Sequence, residues 1–327
     1  MATAYLWILV AALFFSSQFI FSKLFQQHSD ASMQANLWMV LLHSVWVLAL
    51  FGLGGFSEAP SWQAILFALC FGISDVACTV ASVAAYSRGK LATVTLYCMI
   101  GGQAVPFVYG LLFTGARPTW LACLGFALTV LSCLPNVLDG LTKSEKDAPA
   151  RSASRREHIV FLLLCLVVFL GNGFVSVFSD ANAKSPFGAP STDFLMLCSL
   201  WMLLFGVVLL LWQIRLHRGE KKSAFDTVFA GLKCPKGWLS LLVVAGIVGA
   251  HTALNSLGNI FSLRAAAIPG MQSSVQFPVL NALIMILTTL IGRVIFREKI
   301  SRRDAISLVL LVAGILLFMI SFLVYGE

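Results

Sequence analysis

Charge is what this sequence has least of. Only 11% of its residues are Asp, Glu, Lys or Arg, against about a quarter in ordinary globular chains. So few charges cannot cover the surface of a water-soluble fold, and the soluble class is excluded. Metal and disulfide patterns are missing as well. The eight cysteines (Cys70, Cys78, Cys98, Cys123, Cys133, Cys165, Cys198 and Cys234) show no CxxC or Cys/His spacing. Seven lie inside apolar stretches and read as small buried hydrophobes. No GxxxxGK[ST] sequence occurs, which removes ATP as a direct energy source. The longest connectors between apolar runs, 139–158 and 215–237, are too short for a soluble domain. No cofactor and no metal are indicated.

What the chain has in excess is apolar length. Hydrophobic residues make up 59% and the mean hydropathy is +0.91. A membrane span needs about 20 apolar residues, and ten segments qualify: about 4–24, 33–54, 62–87, 91–113, 118–138, 159–179, 192–214, 238–263, 268–295 and 304–325. The first lacks the basic leader of a signal peptide and is expected to be retained. The net charge of +8 would suggest nucleic acid in a soluble protein. Here the basic residues fall in short loops, where they set topology instead. A lipid bilayer and a small-molecule solute are the expected partners, with no nucleic acid, in a monomer or homodimer.

The third and eighth segments align without a gap at an offset of 176. Trp62 then matches Trp238, Asp75 matches His251, and Arg88 matches Arg264. The fourth and fifth segments similarly answer the ninth and tenth, with Phe113 opposite Phe296 in the connecting loops. Five helices per copy is an odd number, so the second copy must enter the membrane from the opposite side. The expected fold is therefore an all-α membrane protein with ten transmembrane helices in two inverted five-helix repeats, an architecture common in secondary transporters. Residues 1–140 form the first repeat, 141–158 a cytoplasmic linker and 159–327 the second repeat.

The opening LWILVAALFFSSQFIFSKLF, the stretch IFREKISRRDAISLVLLVAGILLF and the five-plus-five layout resemble the drug/metabolite transporter superfamily, of the EamA-like ten-helix type. The turn Arg297-Glu298-Lys299-Ile300-Ser301 carries the most specific part of this likeness. The matching first-copy loop, Thr114-Gly115-Ala116-Arg117-Pro118, lacks the glutamate. The resemblance implies movement of small organic solutes such as amino acids, sugars, nucleotide sugars or drugs across the plasma (cell inner) membrane. Nineteen Lys and Arg residues lie in the loops after odd-numbered spans or at their edges, against Arg117, Lys184 and Arg264 on the other side. That bias places both termini outside, whereas the resemblance implies both inside; the charge count is the expectation adopted.

In so apolar a chain the informative residues are the polar ones at membrane depth. Asp75 is the one carboxylate at the centre of a span. A charge there costs several kcal/mol, about 3 or more, unless it is paired, solvated or protonated. It reads either as a helix-locking pair or as a solute- or proton-binding group, and the second reading is preferred. His251, its repeat partner, is expected to face it near the midplane. His251 begins the stripe His251, Asn255, Asn259 and Ser262, answered by Asp75, Thr79, Ser82 and Tyr86 on the third span. Together these faces are expected to line a polar cavity, with interhelical hydrogen bonding as the plainer alternative. Gln103 beside Pro106, Gln276 beside Pro278, and Asn172 with Ser176 are weaker candidates. Ser17 aligns with Asn172 at an offset of 155. His43 is ambiguous, and Trp46 suits packing better than stacking on a solute. The function expected is a secondary active transporter, exporter or exchanger, working by alternating access and open to proton coupling. A membrane-embedded enzyme or lipid flippase using Asp75 and His251 is the alternative; the pair's mid-depth position argues against catalysis.

Overall fold

In hydrocarbon a lone segment can pair all its backbone groups only as a helix, and this chain is built accordingly. A computed structural model describes residues 2–30, 32–86, 91–115, 119–132, 155–216, 228–229, 231–233, 237–295, 297 and 302–325. Ten α-helices account for nearly all of them. They are α1 (Ala2–Gln27), α2 (Met33–Phe51), α3 (Trp62–Tyr86), α4 (Leu91–Phe113), α5 (Trp120–Leu131), α6 (Arg155–Lys184), α7 (Ser191–Leu216), α8 (Trp238–Ala266), α9 (Ser273–Val294) and α10 (Arg302–Tyr325). Seven of these, α1–α3 and α6–α9, are long and apolar enough to cross a membrane. In α4, α5 and α10 the apolar described stretches are shorter, Ile100–Phe113, Trp120–Leu131 and Ala305–Ser321. The chain is a multi-pass helical membrane protein. Among the described residues the only extended pairing is a bridge between Ser29 and Leu232.

Local chemistry sets several helix ends. Ser32 caps α2 by accepting the Ala35 N–H at 3.3 Å, and Thr119 caps α5 by accepting the Ala122 N–H at 3.2 Å. Both use a side-chain oxygen for an amide that no helical carbonyl can reach. The sixth segment was expected to end at 179, but α6 runs on to Lys184. Asp180 and Lys184 end the apolar run, yet they pair one helical turn apart and the helix continues through them. The ninth was expected from 268, but α9 starts at Ser273, because 267–272 make a turn in which Gly270 has φ +87°. Most of the fifth segment beyond Ser132, the bulk of the 141–158 linker and the Glu298–Ser301 part of the turn lie outside the described residues. Arg297 is described and takes φ +53°, a left-handed position that suits glycine.

The two halves of the sequence interleave. Helix α1 packs on α8 and α9, while α3 packs on α6 and α7; α4 contacts α6 and α9, α2 contacts α7 and α8, and α5 pairs with α10. One apolar core joins Ala4, Ile8 and Ala12 of α1 to Ala122 of α5, Ala265 of α8, Val275 and Val279 of α9 and Phe318 of α10. A second joins Ala64, Ala68 and Phe71 of α3 to Phe194, Cys198 and Met202 of α7 and Leu263 of α8. Residues 1–140 and 159–327 therefore do not form separate cores. Neighbouring helix ends collect at two faces. Ser57 meets Asp193, and Ser185 meets Gln63, at one. At the other the 28–38 segment meets 228–233 through His28, Gln34 and Trp38.

Candidate functional site

Glycines bring the helices of the centre together. A Cβ at Gly101 would lie 2.0 Å from the Phe169 carbonyl oxygen, and one at Gly173 would lie 2.4 Å from the Val105 Cβ. Helices α4 and α6 thus touch backbone to backbone, as small residues allow in lipid. Across this seam Asn172 donates from Nδ2 to the Cys98 carbonyl at 2.8 Å. Pro106 has no N–H and cannot bond the carbonyl of Gly102 one turn back. Asn281 of α9 takes that carbonyl, donating from Nδ2 at 3.1 Å. Beside it Gln103 is fully buried, and neither its amide nitrogen nor its amide oxygen has a hydrogen-bond partner.

The stripe on α8 is largely engaged. Asn255 donates to the Gln18 side chain of α1 at 2.7 Å, and Asn259 donates to the Asn255 carbonyl and side chain at 3.0 and 2.9 Å. Gln276 donates to the Ser262 carbonyl at 2.8 Å and so ties α9 to α8. Trp46 donates from its indole to the Ala245 carbonyl at 2.8 Å, with its ring over Gly249. Asn255, Gln276 and Trp46 thus link neighbouring helices, and Asn259 is held by Asn255 of its own helix.

His251 does not meet Asp75. Its ring stands edge-on to that of His43, with centroids 5.9 Å apart, and its Nδ1 is buried without a hydrogen-bond partner. The His43 Nδ1 lies 3.0 Å from the Thr252 hydroxyl, which itself donates to the Val248 carbonyl at 2.8 Å. A hydroxyl has one proton to give. The His43 Nδ1 is therefore the donor in this pair, and its Nε2 is left as an acceptor. The expected face-to-face pair fails because α3 packs on α6 and α7, whereas the His251 turn of α8 packs on α2.

Asp75 is half-buried on α3. Its carboxylate is near enough to the thiols of Cys78, Cys98 and Cys198 to act on them electrostatically. Among the described residues it has no hydrogen bond and no ion pair. Thr79, one turn on, is half-buried too; the Tyr86 side chain lies outside the described residues. No group of three or more His, Cys, Asp or Glu among the described residues is arranged to hold a metal ion.

Two other carboxylates show what a satisfied one looks like here. Asp193, 3% exposed at the start of α7, accepts the Ser57 N–H at 2.9 Å and the Ser57 hydroxyl at 2.6 Å. Asp180, fully buried near the end of α6, is paired with Lys184 at 2.7 Å and accepts the Ser273 hydroxyl at 2.8 Å. Neither was singled out from the sequence, nor were Gln18 and Asn281. The four-residue spacing of Asp180 and Lys184 was the available signal. A lateral groove of about 340 Å³ runs between α4 and α6, lined only by apolar and aromatic residues such as Val105, Tyr109, Phe169 and Phe174. It offers a solute no charge partner.

No family model and no curated protein matches the chain. In fold it is similar to a solved structure described only as "Crystal structure of protein", at 14% identity and a TM-score of 0.66, over 98% of this chain and 97% of that one.

Proposed function

We propose that the chain is a secondary active transporter of a small organic solute bearing a positive charge, which exchanges with a proton at Asp75. The observation that carries this reading is the contrast among three carboxylates. Asp180 and Asp193 have donors on neighbouring elements, whereas Asp75 has none. A carboxylate at that depth needs a counter-charge. When the protein does not supply one, a proton or a cationic group of a solute does.

The architecture supports the same reading. Exchanging each helix for the one five places away maps α1–α8 onto α6–α3, α1–α9 onto α6–α4, and α2–α8 onto α7–α3. The pairs α2–α7, α4–α9 and α5–α10 map onto themselves. This pairing supports a reading as ten crossings in two inverted five-helix repeats, the layout that the resemblance to drug/metabolite transporters implies. Because the halves interleave, the units that rock are a group built on α3, α4 and α6 and a group built on α1, α8 and α9. The basic loops then face the cytoplasm at a plasma (cell inner) membrane.

The test is thermal stabilisation of the purified protein by amines, amino acids, sugars and nucleosides. A ligand at a hundred times its Kd adds about 2.7 kcal/mol of stability. Cationic or zwitterionic compounds are expected to raise Tm for the wild type and not for Asp75→Asn. Stabilisation by neutral sugars alone, or equal stabilisation of the variant, would overturn the assignment.

A further inference from the structure

We infer that Asp180, Lys184 and Ser273 form a latch that holds shut the face carrying the 185–190 loop; this rests on the transport reading above. The Lys184 Nζ is 2.7 and 3.0 Å from the two Asp180 carboxylate oxygens and 3.1 Å from the Ser273 hydroxyl, which donates to Asp180 at 2.8 Å. Asp180 and Ser273 are both fully buried. The bond from Ser273 to Asp180 crosses from α9 to α6, so it joins the two groups that must part for this face to open. Next to it Ser274, also fully buried, packs against Gly110 of α4, where an added Cβ would meet it at 3.1 Å. Prising α6 and α4 away from α9 breaks the Ser273 bond and uncovers Ser274.

Among the described residues, the aligned positions at the opposite face hold no such ion pair. The 155-residue offset that aligns Ser17 with Asn172 places Phe25 opposite Asp180 and Ser29 opposite Lys184. Phe25 is 3% exposed and packs with Val244 and Val248, and Ser29 bridges to Leu232. Neither can form an ion pair. The two faces therefore close through different contacts at these positions, and the ion pair favours the closed state of the face that carries it. Asp180, Lys184 and Ser273 are thus positioning residues for the cycle, remote from the solute.

The experiment is alkylation of Ser274→Cys by a membrane-impermeant maleimide, with the rate at residue 274 read by peptide mass spectrometry. Adding Ser273→Ala, or Asp180→Asn with Lys184→Gln, is expected to raise that rate about tenfold, the scale of one hydrogen bond to a charged group. Lys184→Arg is expected to keep it slow. Buried Cys165 and Cys198 serve as internal controls and should stay unreactive throughout. An unchanged rate at 274, or an equal rise at Cys165 and Cys198, overturns the latch, and should the double variant not fold, Ser273→Ala decides. The labelling rate reads the latch alone; failure of cationic solutes to stabilise the protein would sink the transport reading and leave a faster-labelled latch standing.

Discussion

Substituting Gly101 by alanine tests the packing that positions the centre. The added Cβ would lie 2.0 Å from the Phe169 oxygen and 2.7 Å from its carbonyl carbon and Cα. Backbone cannot swing aside as a side chain does. Reaching an ordinary contact of roughly 3.4 Å needs α4 and α6 to separate by about 1.4 Å at this point. That stretch takes the Asn172–Cys98 hydrogen bond from 2.8 Å to beyond hydrogen-bonding range. Overpacking costs about 1–3 kcal/mol, and leaving a buried amide unpaired costs about 1–3 kcal/mol more. The expected loss is roughly 2–6 kcal/mol, read as a fall in Tm of several degrees by scanning fluorimetry in detergent. The control is Gly246→Ala on α8, where a Cβ meets nothing within 4 Å. It should be neutral or stabilising by up to about 1 kcal/mol, because alanine favours helix. A Gly101→Ala protein as stable as wild type, or an equal loss from Gly246→Ala, would refute the close-contact argument.

Two further outcomes follow from the hydrogen bonds at the centre. Asn281→Ala leaves the Gly102 carbonyl without a donor and should cost about 1–3 kcal/mol. Adding Pro106→Ala restores a backbone N–H in α4 and should recover part of that loss, so a thermal double-mutant cycle with no coupling contradicts the assignment. Thr252→Val keeps the shape but takes the acceptor from His43, and Tm should fall by roughly 2–6 °C. The companion substitution Thr252→Ser keeps the hydroxyl and should restore most of it.

The multi-pass helical character, with seven helices long and apolar enough to cross a membrane, was legible because hydrocarbon imposes length and composition on each span directly. Helix ends were less so. Hydropathy stopped the sixth segment at 179, because a sliding apolar count cannot know that Asp180 will find Lys184 and Ser273. The same blindness hid the hydrogen-bond partners of Asn255, Asn259, Gln276 and Asn172. Each is polar at depth, as a solute contact would be, yet Asn255, Gln276 and Asn172 find partners on neighbouring helices and Asn259 finds its own one turn back, at Asn255. Internal alignment placed Asp75 and His251 in equivalent positions of the sequence, but such equivalence does not bring two side chains into contact. Register and tilt decide that, and they set His251 against His43. What distinguishes Asp75 is the lack of a hydrogen-bond or ion-pair partner among the described residues, a property of its surroundings that no spacing rule encodes.

The central claim is that a proton and a positively charged solute compete for Asp75. The direct measurement is proton release on binding, followed with a pH dye in weakly buffered detergent solution as amines and amino acids are added to the purified protein. A carboxylate that must lose its proton to accept a cation binds the solute more weakly as pH falls. The wild type should therefore release up to one proton per solute bound, with affinity declining at lower pH. Asp75→Asn nearly keeps the volume but cannot titrate, so it should bind weakly, release no proton and show no such decline. An Asp75→Asn protein that binds with unchanged affinity and the same pH profile would contradict the account.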